Sequence, residues 1–258
     1  MTMVRNSPPI DRVLALLRDE PANPDTTRGY LDLLGPEADR SPSLAQSVME
    51  TTFLPKIYER IWRPIGFNVA KGWPLGPDTA TEHAMARDWL FLSGDPATVL
   101  DVACGPGNVT RALAKGVGEE GLLIGLDASH PMLTRAAKDT TDPKIQYVRG
   151  DATDLPFRDA TFDAVSCFGA LYLFNDPWAA IDDMTRVLKP GGHLTILTSR
   201  HPAIIPTPGI ARSLLRRTTG FKIFGDKEVT NALKDRGFQD LKQHRYPFMQ
   251  LVGARRPH

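Results

Sequence analysis

The sequence predicts an α/β fold built on a mostly parallel sheet, with a helical cap in front of it. Two observations carry this. From Thr79 onward short apolar runs alternate with amphipathic helical stretches, the pattern of strands joined by crossover helices. Before Thr79 the texture is different: ten of the 22 prolines fall there, among turn signals such as Pro-Ala-Asn-Pro and Leu-Gly-Pro-Glu. The expected division is a helical N-terminal cap over residues 1–78 and a ligand-binding domain over 79–258.

Within the cap, 12–18 (Arg-Val-Leu-Ala-Leu-Leu-Arg) has helical apolar spacing, and 43–60 has room for one or two helices before Pro64 interrupts. In the domain the predicted strands are 98–102, 122–126, 145–149, 164–168 and 192–198. Helices fill the gaps: 109–117, then 131–138 capped by Ser129, then 178–187 with Asp176 as N-cap and Pro177 in the first turn. A last helix over 226–236 stops at Gly237, a residue that takes the left-handed conformation cheaply. Strands over 239–245 and 248–254 follow it.

Composition narrows the function classes. With 31 Lys plus Arg against 30 Asp plus Glu, the net charge is +1, which gives no electrostatic reason to bind nucleic acid or anionic lipid. Two cysteines, Cys104 and Cys167, cannot build a disulfide framework, and neither sits in a zinc-like cluster, so no metal and a cytoplasmic setting are expected. The first thirty residues are charged and carry no long apolar run, which argues against a secretory signal. No stretch approaches the roughly 18 apolar residues needed to cross a bilayer.

The first domain strand ends in Asp101-Val-Ala-Cys-Gly-Pro-Gly-Asn108 and runs into a helix, so Gly105 and Gly107 lie where a ligand can approach the backbone. A dinucleotide fingerprint wants a third small residue where Thr110 stands, and a P-loop wants a lysine that is absent. Both readings are therefore disfavoured. Asp101 at the head of the loop would repel a pyrophosphate, but suits organising amides and water around an ammonium-bearing ligand. Asp127 ends the second strand beside the loop, where a carboxylate can accept both hydroxyls of a ribose. Asp151 ends the third, placed with the Ala152 amide to read the edge of an adenine. Each aspartate alone could equally be a helix cap.

Four ordered blocks, VLDVACGPGNVTRAL, GLDASHPML, VRGDATDLPFRDATFDAVSCFGALYLF and RVLKPGGHLTI, resemble the class I S-adenosylmethionine-dependent methyltransferases. The resemblance is to the small-molecule branch that includes quinone and sterol C-methyltransferases, and it covers about residues 95–199. It implies a Rossmann-like three-layer sandwich with a mostly parallel seven-stranded sheet and an antiparallel C-terminal hairpin, with S-adenosyl-L-methionine across the carboxyl ends of the first strands. Position by position, it implies that Asp101, Gly105 and Gly107 flank the methionine moiety, Asp127 with Ala128 the ribose, and Asp151 with Ala152 the adenine. Met132 would pack on the nucleoside, or else be an ordinary helix-core methionine. Phe168, Gly169 and Leu171 would line the methionine end and open toward the acceptor. Tyr58 resembles an N-terminal aromatic that contacts the methionine carboxylate in relatives, a place Trp62 or Tyr30 could also fill. The Lys189-Pro-Gly-Gly192 turn is read as a helix stop and strand entry. Cys104 is read as a small buried hydrophobe.

The implied reaction is in-line methyl transfer to a small, hydrophobic or aromatic acceptor at oxygen or carbon. His201, just past the fifth strand, is the candidate general base, with a plain loop residue as the alternative, and Arg200 beside it is a candidate for an acceptor anion. The segment 200–225 is the expected acceptor lid. Two other functions stay open at this point: an NAD-dependent oxidoreductase on a similar sheet, and a non-catalytic cofactor-binding protein.

Overall fold

The computed structural model describes residues 9–35, 78–201 and 222–258. The described chain runs α1 (Pro9–Leu14), β1 (Leu31–Asp32), α2 (Thr79–Trp89), β2 (Thr98–Val102), α3 (Asn108–Ala114), β3 (Leu122–Asp127), α4 (His130–Lys138) and β4 (Ile145–Arg149). It continues with β5 (Phe162–Phe168), a 3-10 turn (Leu171–Leu173), α5 (Pro177–Val187), β6 (Leu188–Ser199), α6 (Glu228–Asp235), β7 (Gln239–Arg245) and β8 (Met249–Arg255). The strands form one sheet in the order β1-β4-β3-β2-β5-β6-β8-β7. All neighbours are parallel except β6 with β8 and β8 with β7, which make the antiparallel hairpin expected from the sequence.

Side-chain alternation along the strands separates two apolar layers. Leu100, Val102, Ile124, Leu126 and Val148 face one side, with Val13 and Leu17 from the N-terminal segment and Ile181, Met184 and Val187 of α5. Val99, Leu123, Ile145 and Tyr147 face the other, under Ala86 of α2, Leu113 of α3 and Leu133 of α4. The strands are covered on both faces, which is why they read as near-continuous apolar runs.

The seven expected strands are present, and β1 adds an eighth at the edge. It is two residues long, below the length at which alternation signals a strand, and it pairs Leu31 with Val148 and Asp32 with Arg149. Residues 9–35 are thus docked on the sheet, at its edge and over one face: Leu17 bridges Phe157, and Arg18 N–H donates to Pro156 O at 2.8 Å. The other helices expected in the cap fall outside the described residues. Two details of the sequence reading change. Ser129 stands at the N-cap of α4 without a side-chain capping bond, whereas Asp176 accepts from Trp178 N and Ala179 N. The Lys189-Pro-Gly-Gly192 turn is absorbed into β6 as an irregularity: Leu188 pairs Phe162, and His193 pairs Ala164. Gly191 lies there at φ 76°, its N–H on Arg256 O.

Candidate functional site

The β2-to-α3 connection packs three left-handed residues into five: Ala103 (φ 55°), Gly105 (φ 54°) and Gly107 (φ 75°). Such a bend is costly for any residue with a Cβ, and neighbouring strands hold it. Cys104 N–H donates to Leu126 O at 3.0 Å, and Gly105 N–H donates to Asp127 Oδ2 at 2.8 Å. Asp127 Oδ1 accepts from Ser129 N at 2.9 Å, so one carboxylate fixes both the glycine loop and its own turn.

The two glycines serve different ends. A Cβ on Gly105 would meet nothing within 4 Å, so that side of the loop opens onto free space. A Cβ on Gly107 would collide with the Tyr147 hydroxyl and Arg111. Gly125 is likewise hemmed in by the Tyr147 ring and Cys104. Tyr147, held through its hydroxyl to Thr140 at 2.9 Å, therefore sits beneath the loop and accounts for two glycines. Of these three glycines, only Gly105 faces open space among the described residues.

The three aspartates also differ. Asp101 is buried at the end of β2 on the α3 side, where its oxygens accept from Thr110 Oγ1 at 2.7 Å and Ser166 Oγ at 2.6 Å. Its contacts are two hydroxyls, where the sequence reading expected amides and water. Burial pushes its carboxyl up to about 6, against the opposing effect of the Ser166 and Thr110 bonds. Thr110, which counted against a dinucleotide, is thus a buried clamp on α3. Neither Thr110 nor Ser166 was singled out as a partner, because nothing local marks a residue 65 positions away as the one that meets Asp101. Asp151 is exposed and folds into a tight turn, accepting from Thr153 N and Thr153 Oγ1, each at 2.8 Å.

Around this frame, Ala128, Met132 and Ala152 are half-buried. Met132 belongs to neither apolar layer, while Leu133 and Ala136 carry the packing of α4. Phe168 lies at the rim of two apolar clusters, edge-on to His83 with ring centres 6.4 Å apart. Gly169 (φ 68°) donates to Leu197 O at 2.8 Å, and Leu171 is fully buried in the main core. Tyr30 is buried with its hydroxyl on His130, which occupies it in packing. Tyr58 and Trp62 lie outside the described residues.

His201 N–H donates to Phe224 O at 2.8 Å, and Ser199 Oγ donates to Lys222 O at 2.7 Å. Residues 199–201 therefore run beside residues 222–224 at the end of β6. Arg200 is not available for an acceptor anion: it binds Asp226 at 2.8 Å and donates to Tyr246 O. Burial pushes the Cys104 and Cys167 thiols up, which fits inert core residues. An open groove of about 640 Å³ is lined by Gly118, Glu119, Lys144 and Ile145, at the opposite, N-terminal ends of the strands.

Residues 100–196 match the family described as a methyltransferase domain. The 2-phytyl-1,4-naphtoquinone methyltransferase of Thermosynechococcus vestitus is 35% identical over 147 residues, 57% of this chain and 61% of the relative. The demethylmenaquinone methyltransferase of Staphylococcus saprophyticus is 36% identical over 146 residues, 56% of this chain and 58% of the relative. The chain thus spans about three fifths of the length of these curated relatives. Among solved structures, the Haemonchus contortus phosphoethanolamine N-methyltransferase 2 in complex with S-adenosyl-L-methionine has a TM-score of 0.59 at 16% identity, covering 79% of this chain and 60% of that one. That likeness speaks for the fold alone. The sheet order is that of a Rossmann-like α/β fold, and within it residues 100–196 are similar to a methyltransferase domain.

Proposed function

We propose that this protein transfers a methyl group from S-adenosyl-L-methionine to a small, apolar, aromatic acceptor of the quinol type, at carbon or oxygen. The observation that carries the proposal is the Asp127 carboxylate bonded to Gly105 N–H beside the open side of that glycine. A carboxylate fixed by backbone donors is preorganised to accept a pair of vicinal hydroxyls. The names of the quinone-methylating relatives support the acceptor class. The NAD-dependent alternative is not favoured.

In this reading Asp127 and Ala128 hold the ribose, Met132 packs on the nucleoside, and Asp151 with Ala152 meets the adenine. Gly105 leaves room for the methionine portion, with Phe168 and Gly169 at its far end and Tyr58 on its carboxylate, while Leu171, wholly buried in the core, supports them from behind. Asp101 and Gly107 act from below the loop. When bound, S-adenosyl-L-methionine supplies an electrophilic sulfonium methyl. The chain's own task is positioning, whose entropic advantage can reach about 7–11 kcal/mol, plus removal of the proton that the acceptor loses. His201 takes that proton, and residues 200–225, whose two ends run side by side at the end of β6, cover the acceptor. Among the described residues no helix is long and apolar enough to cross a membrane, and we place the protein in the cytoplasm.

The test is turnover of methyl-labelled donor with reduced demethylmenaquinone and 2-phytyl-1,4-naphthoquinone, alongside calorimetry of the donor alone. Label in the quinone is the expected result. Absence of donor heat together with absence of label overturns the reading. His201→Ala is expected to lower kcat by about 100-fold at unchanged donor Kd, the scale of a lost general base, and a wild-type kcat removes His201 from the chemistry.

A further inference from the structure

Among the described residues the largest wholly buried side chain is a charged one, Arg149, the last residue of β4. Its guanidinium spans three segments. Nε donates to Ala128 O at 2.9 Å, while Nη1 donates to Gly35 O at 3.0 Å and faces both Asp32 oxygens at 3.3 Å. Asp32 is itself built in: its Oδ1 accepts from Leu34 N and Gly35 N, each at 3.1 Å, and its Oδ2 lies 3.6 Å from His130 Nε2. Ala128 is the peptide between Asp127 and Ser129. The turn that aims the Asp127 carboxylate at Gly105 is therefore held from β4 twice, by Gly150 N–H on Asp127 O at 3.2 Å and by Arg149 on Ala128 O.

We propose that Arg149 is a positioning residue for the donor, and that Asp32 of the edge strand β1 sets donor affinity through it. The proposal rests on the donor reading of the Asp127 turn. A buried ion pair is a weak device for stability, since apolar residues of the same volume often serve as well or better. What an apolar side chain cannot supply at position 149 is a directed donor for Ala128 O. Loss of that bond leaves the ribose-facing turn fixed on one side only, and an orienting contact of this kind governs binding of the group it orients. The N-terminal segment is by this route a working part of the donor site.

The experiment compares wild type with Arg149→Met, Arg149→Lys and Asp32→Asn, measuring donor Kd by calorimetry, the two KM values and kcat, with thermal unfolding as a check on folding. Arg149→Met is expected to raise donor Kd and donor KM by about 30-fold, with acceptor KM and saturated kcat within about twofold. Asp32→Asn, which keeps an acceptor for Leu34 N and Gly35 N, is expected to raise donor Kd by about fivefold, and Arg149→Lys to recover part of the loss. If Arg149→Met does not fold, Asp32→Asn carries the test. Folded variants with wild-type donor Kd, or a fall in kcat with Kd unchanged, overturn the inference and leave the donor reading intact. A wild-type protein that binds no donor overturns both.

Discussion

At the tips of β2, β3 and β4 the polar candidate residues are held by hydrogen bonds to named partners, while at the tip of β5 the candidates sit among apolar side chains. Asp127 engages Gly105 and Ser129, and Asp151 engages Thr153. Phe168, by contrast, shares a cluster with Leu197, Tyr246, Met249, Met85 and Trp89. On the proposed function, the difference follows from what each end would recognise. A nucleoside presents fixed donors and acceptors, which call for fixed polar partners. An apolar ring system is met by shape, which many side-chain combinations provide. The first kind of site leaves a trace in sequence, and the second does not.

The largest expected effect tests the polar end. Asp127→Asn keeps the shape but offers one acceptor oxygen to two backbone donors and to the ligand. Donor Kd is expected to rise by about 100-fold or more, and near-wild-type calorimetric affinity would erase the contrast between the two ends.

That contrast also explains how far the sequence could be read. The strands were legible because burial on both faces forces continuous apolar runs, and Asp127 was legible because its place after β3 fixes what it can reach. Asp101 was only half legible. It shares a sheet face with Val99, and the alternation that puts Val99 into the layer beneath α3 puts Asp101 there too. The Arg149–Asp32 pair spans 117 positions and involves a two-residue strand, so no local pattern reveals it. The acceptor end stayed dark for the chemical reason given above.

A second prediction separates the two carboxylates within the polar end. Burial raises the Asp101 carboxyl from an unfolded value of 3.8 to about 6. A raised carboxyl pKa means that the folded state prefers the protonated form, so this group's stabilising contribution is complete below about pH 4 and fades as pH rises through about 6. The full change is of order 2–3 kcal/mol. Asp101→Asn does not titrate, and its stability relative to wild type is expected to climb by that order between pH 4 and pH 7 in urea unfolding. Parallel pH profiles would mean that Asp101 is solvated and faces the ligand, as Asp127 does.

The two glycines sharpen the comparison most because the substitution is the same, and Gly105→Ala carries the smallest effect on stability. Alanine at 105 must adopt φ 54°, a cost of about 1 kcal/mol, with no steric contact to add to it. Alanine at 107 pays a similar backbone cost at φ 75° and drives its methyl into the Tyr147 hydroxyl, for a total of about 2–3 kcal/mol. Gly107→Ala should therefore lower the midpoint of denaturation more. Donor affinity should order them the other way, since the methyl at 105 enters the space opposite Asp127 and the methyl at 107 enters protein. If Gly107→Ala instead lost more affinity than stability, the ligand would lie on the Tyr147 side of the loop, and the polar end would have to be rebuilt around that ring.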